Sequence, residues 1–327
     1  MTIRLGYQMP NFSYGKSVRE LFPTVIAQAR EAEAAGFDTV FVMDHFYQLP
    51  GIGTPDEPML EAYTALGGLA TATERIQLSA LVTGNTYRNP AMLAKTVTTL
   101  DVVSGGRAVL GIGAGWFELE HRSFGYDFGT FTTRFERLEE ALQIVQPMLC
   151  GQRPTFDGKW YHVENAMNEP RIRDDVPILL GGSGEKKTFR LAARFADHLN
   201  LICNASELPR KIEVLRDRCA EVGRDPATLE TSYLCFLMVD EDGDLVRKQQ
   251  RDYLSRMGID LSSLSESEIA QTPADRQFVG TPDEVAEQLR TRVLDRGVDG
   301  LIVNMVLNGH EPGAVELAGR TLAPLVG

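Results

Sequence analysis

Asp44 and His45 stand side by side directly after the apolar run Thr39 to Met43. An imidazole gains or loses a proton near neutral pH, and an adjacent carboxylate can tune it or bond a heteroatom of a bound ring. The pair is thus a candidate acid/base centre; the plainer alternative is an aspartate that caps a loop and a histidine packed into a rim. Further on, Ser79-Ala80-Leu81-Val82-Thr83-Gly84-Asn85 passes from apolar residues to a hydroxyl, a glycine and an amide. That is either a surface on which a flat polar ring can rest and find hydrogen bonds, or an ordinary strand running into a loop. Gly111-Ile112-Gly113-Ala114-Gly115-Trp116 offers small-residue gaps through which a planar ligand could approach the backbone. It is not a dinucleotide fingerprint, because Trp116 holds the third glycine's place and a loop is expected where that motif opens a helix. Gly181-Gly182-Ser183-Gly184 leads into an expected helix carrying Glu185, Lys186 and Lys187. Free N–H groups and the helix dipole there suit a phosphate, whereas the alternative is a tight turn with surface lysines. Glu118, Glu120 and His121 cluster after Trp116 and are expected to be solvated loop charges rather than catalytic groups. The five histidines show neither HExxH nor HxH spacing, so a metal site has little support.

Side chains of this kind need a frame that points them at one place. Short β-branched runs alternate with longer segments of 3.6-residue period along the whole chain, the order of a parallel α/β sheet. Strands are expected at Ile3 to Gln8, Thr39 to Met43, Gln77 to Val82, Ala108 to Gly113, Pro177 to Leu180, His198 to Ile202, Leu229 to Phe236 and Gly300 to Asn304. Helices are expected at Val18 to Ala35, Glu61 to Ala72, Pro90 to Val103, Phe135 to Leu149 and Ala314 to Leu325. Eight such units favour a closed (β/α)₈ TIM barrel, which leaves no sheet edge exposed, over an open doubly wound sheet. Residues 1–327 then form one domain, with loop insertions near 49–58, 154–163 and 240–278. In a barrel the loops after strand C-termini carry function, and Asp44-His45 falls on that rim.

Composition narrows the class. No apolar run approaches the roughly 20 residues of a membrane span, and the N-terminus lacks the features of a signal peptide. Cys150, Cys203, Cys219 and Cys235 are scattered without CxxC spacing, which fits a reducing cytoplasm rather than a disulfide framework. A net charge of −12 argues against nucleic acid as a partner and leaves a small molecule as the expected one.

Several stretches in fixed order resemble the bacterial-luciferase-like superfamily of flavin and deazaflavin oxidoreductases over nearly the full length. They are Glu31 to Asp38, Val42-Met43-Asp44-His45, Thr86-Tyr87-Arg88-Asn89-Pro90, Leu110 to Trp116, Gly181 to Thr188 and Gly280 to Val285. Among its branches the chain looks most like the probable F420-dependent oxidoreductases. The resemblance implies a TIM barrel that holds coenzyme F420, with FMN as the alternative, and a homodimer; an FMN enzyme would also need a flavin reductase as partner. It implies that Asp44 bonds the deazaflavin ring and that His45 is catalytic, facing the substrate. Ala80-Leu81 aligns with the family's non-prolyl cis peptide, Thr83 with a cofactor-contacting threonine, and Gly181, Gly182, Ser183 and Gly184 with the phosphate loop. The chain departs from the F420-dependent sugar-phosphate dehydrogenases, whose catalytic glutamate aligns with Trp116 and a nearby asparagine with Leu119. Trp116 and Phe117 instead imply a hydrophobic substrate or a blocked pocket. Hydride transfer to or from a small organic molecule is therefore the expected activity, with an FMN monooxygenase or a non-catalytic cofactor-binding protein as the other readings.

Overall fold

Parallel strands covered on both faces are shut off from water, and those of the computed structural model are buried almost throughout. The structure describes residues 3–265, 268 and 273–326. The barrel strands are β1 (Leu5–Met9), β2 (Thr39–Val42), β3 (Gln77–Ala80), its short continuation β4 (Thr83–Gly84), β5 (Leu110–Gly113), β8 (Ile178–Gly181), β9 (His198–Leu201), β10 (Glu230–Val239) and β12 (Gly300–Asn304). They pair in parallel in the order β3-β2-β1-β12-β10-β9-β8-β5-β4. The ring closes where Leu78 N–H donates to Arg107 O and Val109 N–H to Leu78 O, at 2.9 and 3.0 Å. The expected TIM barrel is therefore the fold. Alternation along each strand sends Phe41, Leu179, Leu234 and Ile302 into the lumen as one apolar layer. Their neighbours Val40 and Val42 join the larger core outside, with the helices.

Local chemistry sets the helix ends. Helix α1 (Val18–Ala34) stops before Gly36, whose φ of +91° few other residues tolerate. Helix α2 (Ala62–Ala72) is capped by the Glu61 carboxylate, which accepts from Thr64 N–H at 2.7 Å. Helix α3 (Pro90–Ser104) has Asn89 as its cap, Pro90 in the first turn and Gly105 beyond its end.

Elsewhere the structure corrects the sequence reading. The strand expected over Gln77 to Val82 ends at Ala80, and the chain re-pairs with β5 from Thr83. The non-prolyl cis bond lies at Leu81-Val82, one residue after the Ala80-Leu81 bond that the alignment marked. Leu81 N–H still bonds Val42 O at 2.9 Å, so the chain stays laddered to β2 through Leu81 and departs only after it. A helix, α4 (Glu118–Phe124), follows Trp116 where a loop was expected, and α5 (Phe131–Leu149) starts a turn before Phe135. The helix after the fifth barrel strand, α6, covers Thr188–Phe195 and excludes Glu185 to Lys187. There the Glu185 carbonyl accepts from Arg218 Nε and its carboxylate from Lys211 and Arg210, which hold the segment as a turn against α7 (Leu208–Glu221).

The insertions have structure of their own. Residues 154–163 contain the hairpin β6 (Phe156–Asp157) and β7 (His162–Val163). The 240–278 stretch holds α8 (Gly243–Arg256) and the start of a strand not expected from sequence, β11 (Gln277–Gly280), which extends β10 beyond the barrel. Its residues 266–267 and 269–272 lie outside the described residues. Tyr253 of α8 donates to Gly51 O, tying this insertion to the 49–58 loop over the barrel mouth.

Gly111 shows how closely β3 and β5 approach: an added Cβ would stand 2.0 Å from Ala80 O. That atom belongs to the backbone and cannot swing aside, so Gly111→Ala is expected to destabilise the fold by about 3 kcal/mol, at the upper end of overpacking costs. Denaturant unfolding measures it.

Candidate active site

The strand C-termini converge on a cavity of about 580 Å³, a size that suits a small organic ligand or cofactor ring. Six of the residues singled out from sequence, Asp44, His45, Leu81, Thr83, Gly181 and Gly182, line it. Ala80, Ser183 and Gly184 do not: Ala80 is buried beneath the mouth, and the Ser183 hydroxyl accepts the Ile202 N–H at 2.8 Å. Gly182 N–H donates to Asn200 O, so that amide is already engaged. A second cavity, of about 450 Å³, lies between Arg4, Arg216, Asp225 and Asp299 and contains none of the candidates.

Of the small residues at the end of the fourth barrel strand, Gly113, Ala114 and Gly115 line the cavity, and the glycines are also tightly packed. A Cβ on Gly113 would meet Val82 at 2.8 Å and one on Gly115 would meet Thr86 Oγ1 at 2.7 Å. Trp116 does not plug the cavity. It lines the wall, is 59% exposed, stacks on Phe117 at 5.2 Å and meets His45 edge-on at 5.8 Å. Phe131, Phe135 and Phe236 continue this aromatic wall.

Asp44 is buried and accepts three hydrogen bonds. Its Oδ2 accepts from Arg88 Nη1 at 2.6 Å and Gly84 N–H at 2.9 Å, and its Oδ1 from Arg88 Nη2 at 2.9 Å. Arg88 also pairs with Glu61 at 2.7 Å. Burial works against the Arg88 charge, but the Asp44 carboxylate outweighs it and holds the guanidinium protonated well above its ordinary value. Thr83 is buried with its hydroxyl 2.7 Å from that of Tyr63.

Glu120 and His121 overturn the expectation of solvated charges: both are 0% exposed. Helix α4 turns them inward while Glu118 and Arg122 pair on its open side. Glu120 Oε2 lies 2.9 Å from His45 Nδ1 and accepts from Tyr87 OH at 2.6 Å; its Oε1 accepts the N–H groups of Phe46 and Tyr47. Burial pushes the Glu120 carboxyl up, but the bond and charge of His45, with Tyr87 and the Tyr47 N–H, hold it below its ordinary 4.5. A carboxylate depressed in this way stabilises the fold above the unfolded value and loses that contribution as pH falls through the folded one. Stability is therefore expected to fall on acidification below pH 4.5. Glu120→Gln is expected to flatten that acid limb, read from urea midpoints between neutral and acidic pH.

Against known proteins, a family model described as luciferase-like monooxygenase matches residues 3–300. The chain belongs to the luciferase-like monooxygenase family. Among its luciferase-like relatives is an F420-dependent glucose-6-phosphate dehydrogenase of Nakamurella multipartita, 30% identical over 95% of this chain and 91% of that protein. Two solved structures share the fold. An F420-dependent secondary alcohol dehydrogenase in complex with an F420-acetone adduct superposes with a TM-score of 0.80 at 22% identity, over 100% of both chains. An EDTA monooxygenase from Chelativorans sp. BNC1 does so with 0.81 at 18%, over 99% of this chain and 93% of that one. Relatives named as dehydrogenases and reductases make this luciferase-like chain an oxidoreductase by kinship.

The residues of this luciferase-like site that the sequence reading named without assigning a place in it are Arg88, Tyr87 and Glu120. Arg88 was visible as part of a motif, but its partner lies 44 positions away and nothing local announces the pair. Glu120 had a signal: the Glu118 and Arg122 spacing of four marks one helical face as solvent-facing and leaves 120 and 121 on another. Among the described residues no helix is long and apolar enough to cross a membrane.

Proposed function

We propose that this protein holds coenzyme F420 in the cavity and catalyses hydride transfer between it and a small, apolar organic molecule, with His45 handling the accompanying proton. The observation that carries the reading is the presence of His45 on the wall of a ligand-sized, aromatic-lined cavity at the strand C-termini. The cavity also fits a polar ring: Asn304 Oδ1 and Arg276 Nε are buried on its lining residues with no hydrogen-bond partner among the described residues. Bound there, the deazaflavin supplies a two-electron hydride carrier that reacts poorly with oxygen.

The chain's own groups divide the remaining work. Asp44, held in place by Arg88, offers a fixed acceptor to a ring donor, and Thr83 offers a hydroxyl beside it. The 181–184 loop, with Gly181 and Gly182 on the wall, is assigned the cofactor's phosphate as a loop of small residues at the cavity edge rather than as a helix start. His45 takes the hydroxyl proton of an alcohol as its carbon gives up hydride, and returns a proton to the oxygen in the reverse direction. Trp116, Phe131 and Phe135 give the cavity an apolar wall that favours an apolar substrate. Glucose 6-phosphate is not carried over from the Nakamurella relative, because the resemblance drawn from the sequence puts Trp116 and Leu119 where that group has a catalytic glutamate and an asparagine.

An FMN-dependent monooxygenase fed by a separate flavin reductase is the second reading, favoured by the description of the matched family model as luciferase-like monooxygenase. The open cavity speaks against a protein whose pocket is filled and idle. A panel of apolar ketones and enones offered with reduced F420, with and without air, tests the choice. Oxidation of F420 that depends on the organic substrate and ignores oxygen supports the proposal; oxygen-dependent turnover with reduced FMN alone contradicts it. Ser183→Glu, which adds a negative charge to the loop, is expected to weaken F420 at least about tenfold, or roughly 1.4 kcal/mol. Equilibrium titration reads this, and unaltered affinity would remove the loop from phosphate binding.

A further inference from the structure

Glu120 is the most heavily bonded carboxylate near the cavity, yet it does not line it. His45 stands between. Three donors reach the two oxygens of Glu120, Tyr87 OH on Oε2 and two backbone N–H groups on Oε1, and His45 Nδ1 lies 2.9 Å from Oε2 in the fourth place. Four is the full acceptor capacity of an ionised carboxylate, and backbone N–H groups can only donate. The arrangement is therefore complete when Glu120 is anionic and the His45 proton sits on Nδ1.

We propose that Glu120 is the positioning residue of His45: by binding Nδ1–H it fixes the tautomer and ring orientation, so that Nε2 is the nitrogen offered to the cavity. The bond made by one ring nitrogen decides the state of the other. His45 then accepts a substrate proton at Nε2, and Glu120 acts only through it. This rests on the reading that His45 handles the proton, and it gives the chain an acid/base device although Trp116 stands where its sugar-phosphate relatives align a catalytic glutamate.

The surrounding groups leave this assignment undisturbed. Asp44, next to His45 on the β2 loop, is neutralised by Arg88. Tyr87 spends its proton on Glu120. His121 is bonded through Nδ1 to Phe117 O and through Nε2 to Thr86. Glu118 and Arg122 pair with each other on the exposed side of α4. Trp116 and Phe117 meet the imidazole edge-on, 5.8 and 5.9 Å away, and hold its plane without a polar contact.

Glu120→Gln makes a sharp test because an amide has one accepting and one donating end. The Phe46 and Tyr47 N–H groups claim the oxygen, which turns the NH₂ toward His45 Nδ1. That nitrogen must then accept, and the proton moves to Nε2. ¹⁵N-edited NMR of the apoprotein, with His45→Asn used to assign the resonance, is expected to show the Nδ1–H tautomer in the wild type. In Glu120→Gln the protonated and unprotonated nitrogen signals are expected to exchange places. Tyr87→Phe, which removes a donor but keeps the carboxylate, is expected to leave the wild-type pattern. An Nε2–H tautomer in the wild type, or an unchanged tautomer in folded Glu120→Gln, overturns the proposal. If Glu120→Gln does not fold, the wild-type spectrum decides alone. Because no cofactor or substrate is present, failure here is separable from failure of the F420 reading, which binding and turnover report.

Discussion

Replacing His45 by alanine is expected to lower turnover by a factor of about 10² to 10⁴, the usual worth of a positioned acid/base group, and to leave F420 affinity nearly intact. The split follows from where the imidazole sits. Nδ1 is engaged with Glu120 behind the cavity wall, and the ring's remaining nitrogen belongs to a residue on that wall. Cofactor contacts, in contrast, are assigned to Asp44, Thr83 and the 181–184 loop, none of which hydrogen-bonds His45. A variant with unchanged turnover removes His45 from the mechanism. One that loses affinity and turnover together makes it a binding residue.

Arg88→Leu is expected to cost about 3 kcal/mol of stability, the lower end of the range for breaking a buried ion pair. Asp44 has a side chain that is 0% exposed and would keep only the Gly84 N–H of its three present donors. The Arg88 side chain is 16% exposed and shares itself with Glu61, which places the cost at the lower end. The penalty arises mostly from the stranded carboxylate, so adding Asp44→Leu is expected to recover part of it, and a double-mutant cycle in urea measures the coupling. The same cycle bears on function, because an Asp44 released from Arg88 no longer presents a fixed acceptor to a ring.

How much of this was legible in the residues depended on the range of the interactions. The barrel could be read because each β-branched run and each capped helix is a local pattern, as with Asn89-Pro90 at the start of α3 and Gly36 beyond α1. The place of Asp44 and His45 followed from chain direction alone, since residues just after a parallel barrel strand all reach the same rim. What escaped were features made by two distant segments. The break after Ala80 depends on β2 and β5 pulling in turn on one strand, through Val42 O and then Ile112. The packing role of Gly111 and Gly113 is seen only once Ala80 O and Val82 lie against them. β11 was hidden in a polar stretch because it pairs only with the overhanging end of β10, at Phe236 to Val239. Glu120 was taken for a solvated charge because a carboxylate's fate depends on its donors, and those come from His45 to Tyr47 and from Tyr87.

The account turns on which ring the cavity takes. The most direct test titrates the apoprotein with F420 and with FMN in parallel, followed by fluorescence quenching and confirmed by ultrafiltration. Tight, saturable binding of F420 with FMN at least about a hundredfold weaker, or roughly 2.7 kcal/mol, is the predicted result. Selective binding of FMN would contradict the account and turn the search toward oxygen-dependent chemistry with a reductase partner.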